Sequence, residues 1–287
     1  MCDISVIIPI YNSQKFINKC LDSVINQTFP SSRFEIICIN DGSIDQTPQI
    51  LTEYTLKYTN IIVINQKNQG QGLARNVGVS IAKGKYVKFI DSDDYLHPNA
   101  LQILYETAEQ TKADIVVCKA FCTDEYNQQF TQLTMWNHII GYYTKSEIVK
   151  IDFFNNICSP VLWDKLIKSN IAKTCLSPSL RRGQDFITLL KYISLCRSIC
   201  FIDDRLYYYR HHSMSVMSEK ESKSTIISDF TTECTAIELM KYHFSKTNAY
   251  LYYCERIKLE WDKRLKNKTL LCENEIKYIK NFISNLP

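Results

Sequence analysis

An α/β fold with a mainly parallel central sheet flanked by helices is predicted by three features of this 287-residue sequence. Five short β-branched runs alternate with four amphipathic stretches before residue 118, the pattern of consecutive β-α-β units. Turn and cap residues separate the two kinds of segment. The polar residues gather just after the predicted strands, where open parallel sheets bind their ligands.

Residues 5–10 form the first run, and Asn12 or Ser13 is placed to cap the helix whose apolar face is Phe16, Ile17, Cys20, Leu21 and Val24. Residues 34–39 form the second strand, which ends in Asn40-Asp41-Gly42-Ser43. A helix is expected over 47–58 and a third strand over 61–64. The helix over 72–82 is closed by Gly84 as a C-terminal cap. A fourth strand, 86–90, runs into Asp91-Ser92-Asp93-Asp94, Pro98 opens the next helix, and 113–118 is the fifth strand. From 120 to 218 the periodicity is mixed and rich in aromatics, and from Glu219 it is helical and charged. The expected division is 1–118 and 119–218 as two halves of one domain, with 219–287 a helical C-terminal extension.

With 45% hydrophobic and 22% charged residues the composition is that of a globular chain, which excludes disorder and fibrous repeats. The 34 basic and 30 acidic residues leave +4, and residues 1–100 hold nine of each sign. No basic field dominates, so nucleic acid is not an expected partner. Twelve scattered cysteines without a charged-then-apolar leader at Met1 read as reduced thiols in a cytoplasmic protein. Cys118/Cys122 and Cys196/Cys200 lack a clustered His, which argues against structural zinc. No apolar run approaches the ~20 residues of a membrane span, so any membrane contact is from the surface.

Five of the seven glycines lie in the first 84 residues, where backbone must turn or approach a ligand closely. Asp91, Asp93 and Asp94 crowd one strand end. Their oxygens suit magnesium or manganese carried with a diphosphate, and equally the cap of the helix that follows. The run Gly70-Gln71-Gly72-Leu73-Ala74-Arg75-Asn76 lacks the Gly-Lys-Ser/Thr of a P-loop. Arg75 is one turn into a helix, within reach of a phosphate or a base edge, or of a surface salt bridge.

Val6-Ile7-Ile8-Pro9-Ile10-Tyr11-Asn12, Asn40-Asp41-Gly42-Ser43, Gly72-Leu73-Ala74-Arg75-Asn76 and Phe89-Ile90-Asp91-Ser92-Asp93-Asp94 occur in order. Together they resemble the nucleotide-sugar-binding half of the family-two inverting glycosyltransferases, which have the GT-A fold. Trp163-Asp164-Lys165-Leu166, Arg182-Gly183-Gln184-Asp185-Phe186 and Leu206-Tyr207-Tyr208-Tyr209-Arg210 extend the likeness to the capsule, O-antigen and teichoic-acid branch.

The resemblance implies a nucleotide-diphospho-sugar donor, UDP-linked, and a glycan or lipid-linked glycan acceptor at the inner face of the cell membrane. It assigns Asp41 to the uracil NH, Pro9 and Tyr11 to the base and ribose pocket, and Arg75 to the base or diphosphate. Asp91 goes to the ribose hydroxyls, Asp94 to the donor-sugar pocket, and Asn12 and Ser92 join the donor-binding set. Asp93 is the implied ligand of a divalent cation, Mn or Mg. His211 and His212 either complete that shell or form a surface pair, and Ser215 is an alternative phosphate contact.

Inversion needs one base on the acceptor hydroxyl, and Asp185 matches that position. Its alternative is a helix-end carboxylate. The family's Glu-Asp pair reads Gln184-Asp185 here, which raises a non-catalytic nucleotide-sugar-binding subunit as a second reading. A sugar nucleotidyltransferase is a third, opposed by Tyr11-Asn12-Ser13-Gln14 where a Gly-rich basic loop is required. Trp163 either stacks on an acceptor sugar or fills core, and Arg210 is placed on the acceptor side.

Residues 241–270 carry eight basic and three acidic residues, with Tyr250, Cys254, Ile257, Trp261 and Leu265 on one helical stripe. Such a helix can lie on an anionic bilayer or pack on the catalytic domain with its basic face in water.

Overall fold

The computed structural model describes residues 2–124, 126, 128–130, 140–148, 159–180, 182–212, 222–245, 247–265 and 270–287. Its first half runs β1 (Ile4–Ile10), α1 (Ile17–Ile25), β2 (Phe34–Asn40), α2 (Thr47–Lys57), β3 (Ile61–Asn65), α3 (Gln71–Ile81) and β4 (Tyr86–Phe89). A short β5 (Tyr95–Leu96), α4 (Ala100–Thr111) and β6 (Ile115–Thr123) follow. The second half holds β7 (Gln129–Phe130), β8 (Gly141–Thr144), α5 (Lys145–Ile148), β9 (Lys165–Lys168), α6 (Ser169–Thr174), α7 (Gln184–Leu195) and β10 (Ser198–Arg210). Three helices end the chain: α8 (Lys223–Phe244), α9 (Asn248–Arg264) and α10 (Glu273–Ser284). Ser215 and the expected boundary at 218/219 lie outside the described residues.

Among the described residues the strands form one sheet in the order β3-β2-β1-β4-β9-β6-β10-β5, with β7 on β6 and β8 on β10. Strands β3, β2, β1 and β4 are mutually parallel, as are β6 and β10. Strand β9 runs antiparallel between β4 and β6. The sequence pattern did not suggest this insertion, because Lys165–Lys168 carries two lysines in four residues. Lys165 is nevertheless fully buried, and its ammonium donates to the Ser159 and Val161 carbonyls and to Asp164. Its charge is neutralised inside the core, so the strand is not excluded from it.

Period-two alternation along β1 divides the core. Ile4, Val6, Ile8 and Ile10 pack with residues of α1, α2 and α4 on one face. Ile7 faces the other way, into a cluster that includes α3, α7 and the three C-terminal helices. Tyr250, Cys254, Ile257, Trp261 and Leu265 are all buried in that second cluster. The apolar stripe of the tail is therefore spent on packing. No helix among the described residues is long and apolar enough to cross a membrane.

Two local expectations are corrected. Gly84 does not cap α3, which ends at Ile81 with Ala82 as its cap. A Cβ at Gly84 would lie 2.6 Å from the Ile4 carbonyl carbon and overlap the Ser5 nitrogen, so the glycine lets this turn touch β1. Neither Asn12 nor Ser13 caps α1 with a side chain. Asn12 adopts a left-handed φ of 48° and its Oδ1 accepts from the Ile44 N–H at 2.9 Å, tying the first strand-helix loop to the second.

Candidate active site

Parallel strands β1, β2 and β4 end on the same edge, so the loops after them meet there. Asp41, next to the end of β2, is nearly fully buried. Its Oδ1 accepts from Gln66 Nε2 at 2.7 Å and the Gln69 N–H at 2.9 Å, and its Oδ2 accepts from the Gly70 N–H at 2.8 Å. A carboxylate accepts about four hydrogen bonds. Asp41 thus shapes the loop entering α3 and keeps one acceptor position on Oδ2. Pro9 is buried in β1, and Tyr11 stands half exposed beside it.

The turn after β4 is held from a distant strand. Tyr207 of β10 is fully buried; its hydroxyl accepts from the Asp91 N–H at 3.1 Å and donates to Asp94 Oδ2 at 2.7 Å. The Arg210 N–H donates to Asp94 Oδ1 at 2.7 Å. Trp163 stacks on Tyr207 at 4.2 Å and on Tyr209 at 5.4 Å, which fixes the face from which Tyr207 reaches the turn. Trp163 is 3% exposed, so it fills core and has no open ring face for a sugar. Arg210 is buried as well, its guanidinium over the Phe16 and Tyr95 rings at 4.9 and 5.3 Å. Ser92 shares a hydrogen bond of 2.6 Å with Ser13 and so joins the turn to the loop after β1.

Arg75 is 1% exposed and links the two halves. Its Nη2 donates to Asp91 Oδ1 at 2.8 Å and its Nη1 to Asp185 Oδ1. It is an enclosed bridge rather than a surface ion pair. Asp185 sits in the first turn of α7, where the helix dipole favours an anion. Its Oδ2 has no partner among the described residues, and its side chain stays 19% exposed. Gln184 donates to Gln71 Oε1 at 3.2 Å, and Gln71 donates to Asp91 Oδ1 at 2.8 Å. The residue that departs from the Glu-Asp pattern is thus wired into the same network.

Enclosure raises the Asp91 carboxyl to about 6, with Arg75 opposing and Asp185 and Asp93 reinforcing the shift. Burial, then Asp93 and Asp91, push Asp94 well above the carboxylate range. Asp93 is the open member of the cluster, its side chain 33% exposed and its Oδ2 2.8 Å from His212 Nε2. His211 lies outside that pair and meets Tyr209 edge-on at 4.8 Å. No group of three or more His, Cys, Asp or Glu side chains positioned for a metal occurs among the described residues.

The family model described as glycosyl transferase family 2 matches residues 5–164, more than half of the chain. The chain belongs to glycosyl transferase family 2. Its relatives include the glycosyltransferase GlyG of Streptococcus pneumoniae, 28% identical over 92% of this chain and 98% of that protein. TarS of Staphylococcus aureus, a poly(ribitol-phosphate) beta-N-acetylglucosaminyltransferase, is 28% identical over 73% of this chain and 35% of that one. The chain thus spans nearly all of GlyG but about a third of TarS. The crystal structure of TarS 1–349 in complex with UDP-GlcNAc matches with a TM-score of 0.70 at 25% identity, covering 83% of this chain and 66% of that one. The architecture, a mixed sheet flanked by helices, is that of the GT-A structures.

Within this candidate site, sequence reasoning missed Tyr207, Gln66 and Gln71. Gln71 lies inside the glycine-rich run 70–76, and Tyr207 left a trace in alternation: Tyr207-Tyr208-Tyr209 puts positions 207 and 209 on the Trp163 face, while Tyr208 stacks on Tyr95 and Phe121.

Proposed function

We propose that the chain is an inverting, metal-dependent glycosyltransferase that moves a sugar from a UDP-sugar to a glycan acceptor in bacterial surface polysaccharide synthesis. The observation that carries this reading is the Asp91–Arg75–Asp185 bridge, which joins the strand-end donor loops to a carboxylate with one unpartnered oxygen. GlyG and TarS as relatives, and UDP-GlcNAc in the matched TarS structure, support the donor class.

In this reading Pro9, Tyr11 and Asp41 receive the nucleobase and Asp91 the ribose. Asn12 and Ser92 hold the loops that surround them, and Asp94 shapes the sugar pocket. The acceptor hydroxyl gives its proton to Asp185 Oδ2 as its oxygen attacks the anomeric carbon in line with the departing diphosphate. One displacement inverts the configuration.

A divalent cation fits the residues present. Asp93 Oδ2 and His212 Nε2, 2.8 Å apart, are close to the separation of about 3 Å between adjacent ligands of an octahedral ion with bonds near 2.1 Å. Asp93 and His212 would hold such a cation, and a site with two protein ligands would suit Mn or Mg, which would keep positions open to water and substrate oxygens. When bound, the cation offsets the negative charge that develops on the leaving diphosphate.

The test is nucleotide release from a panel of UDP-, GDP- and CDP-sugars, with manganese, magnesium or EDTA, for wild type and Asp93→Ala. Metal-dependent UDP release that is lost in the variant is expected. Absence of both turnover and metal-dependent UDP binding by calorimetry would refute the reading.

A further inference from the structure

Helix α8 reaches the turn that launches α7 and carries Asp185. Thr232 Oγ1 lies 2.9 Å from the Arg182 carbonyl oxygen and 3.0 Å from that of Ser228, one turn back in its own helix, so its hydroxyl is placed to donate to either. Gly183, the next residue after Arg182, has φ 75° and is the N-cap of α7. A Cβ there would overlap Thr232 Cγ2, so α8 presses directly on the backbone one residue before Gln184 and two before Asp185. A second contact flanks the first: Asp229 of α8 faces Arg182 Nε at 3.8 Å and accepts from Arg264 Nη2 of α9 at 3.0 Å. A third lies beyond Asp185, where Phe186 packs against Tyr253 of α9 with ring centroids 5.8 Å apart.

A helix N-terminus is the part of a helix most able to fray, because its first N–H groups lack intrahelical partners. Here no side chain caps α7. Its first turn is held by Arg75 through the Asp185 carboxylate and by α8 and α9 through backbone and ring contacts. We infer that the C-terminal helices position the base, with Thr232 as the positioning residue that fixes where α7 begins. The inference rests on the assignment of Asp185 above. It gives α8 and α9 a part in the reaction through the start of α7.

Thr232→Val keeps the shape of the side chain and removes the hydroxyl. The 287-residue chain is assayed with the UDP-sugar that the wild type turns over, and UDP itself is the binding probe. The expected result is a fall in kcat of about tenfold, since small displacements of a catalytic group are costly, with the KM for the sugar nucleotide and the Kd for UDP unchanged. Thr232→Ser restores kcat. Amide hydrogen exchange at Gln184–Ile187 speeds up in Thr232→Val while β1 and β2 stay protected. Asp229→Asn, which leaves the Thr232 contact in place, gives a smaller effect of the same kind if the valine variant folds poorly. Wild-type kcat and unchanged exchange in Thr232→Val overturn the inference. Transfer retained by Asp185→Asn overturns the base assignment instead, and the exchange measurement then still decides whether the brace exists.

Discussion

Tyr207 shows how one side chain can set a site from far along the chain. Its hydroxyl serves Asp91 and Asp94 from 116 and 113 residues away, and no local pattern encodes such a pairing. Tyr207→Phe keeps the stack on Trp163 but leaves a backbone N–H and a buried carboxylate each short of a partner. A loss of about 1–3 kcal/mol is expected in denaturant unfolding, together with weaker metal-dependent UDP binding. Wild-type stability and affinity in the variant would contradict this role. Asp93 and Asp185 differ from Tyr207 in legibility. Their residue types and places after a strand and at a helix start were visible in the sequence, whereas the bridge through Arg75, which reaches Asp185 110 residues further along the chain, needed the fold.

At the scale of elements, the strands of the first half were legible because each is a short apolar run bounded by turn residues. The second half was not. Strand β9 hides behind Lys165 and Lys168, which are drawn into the sheet by Asp164 and Asp114. Asp114 is a junction: it accepts from Lys168 Nζ at 2.7 Å and from the Arg197 N–H at 2.7 Å, tying the start of β6 to β9 and β10. Burial tends to raise its carboxyl, but the Arg197 and Lys168 contacts outweigh this and hold it below the usual value. A depressed folded value means that the stabilisation is complete above the unfolded value near pH 4 and is lost as the pH falls through the folded one. Asp114→Asn should therefore cost about 1–3 kcal/mol at neutral pH, with the deficit shrinking as the pH falls below about 4. Thermal melts at neutral pH and in acid check the sign, and a deficit that grows in acid contradicts it.

For the molecule as a whole, the buried cluster that runs from β1 and β2 through α7 to Trp261 predicts that sheet and tail unfold together. Trp261→Ala should cost about 3–5 kcal/mol and lower a single cooperative transition. Two separated transitions, with the sheet unaffected, would show the tail to be independent. The sequence left the apolar stripe of the tail with two uses, because periodicity reveals an apolar face but not what covers it. The α8–α9–α10 packing supplies that cover. The central claim, that this chain transfers a sugar with Asp185 as base, is tested most directly by comparing wild type and Asp185→Asn for turnover of the UDP-sugar and for UDP binding. Loss of transfer by about 10²–10⁴, with UDP affinity retained, is the expected result. Near-wild-type transfer by Asp185→Asn would contradict the account.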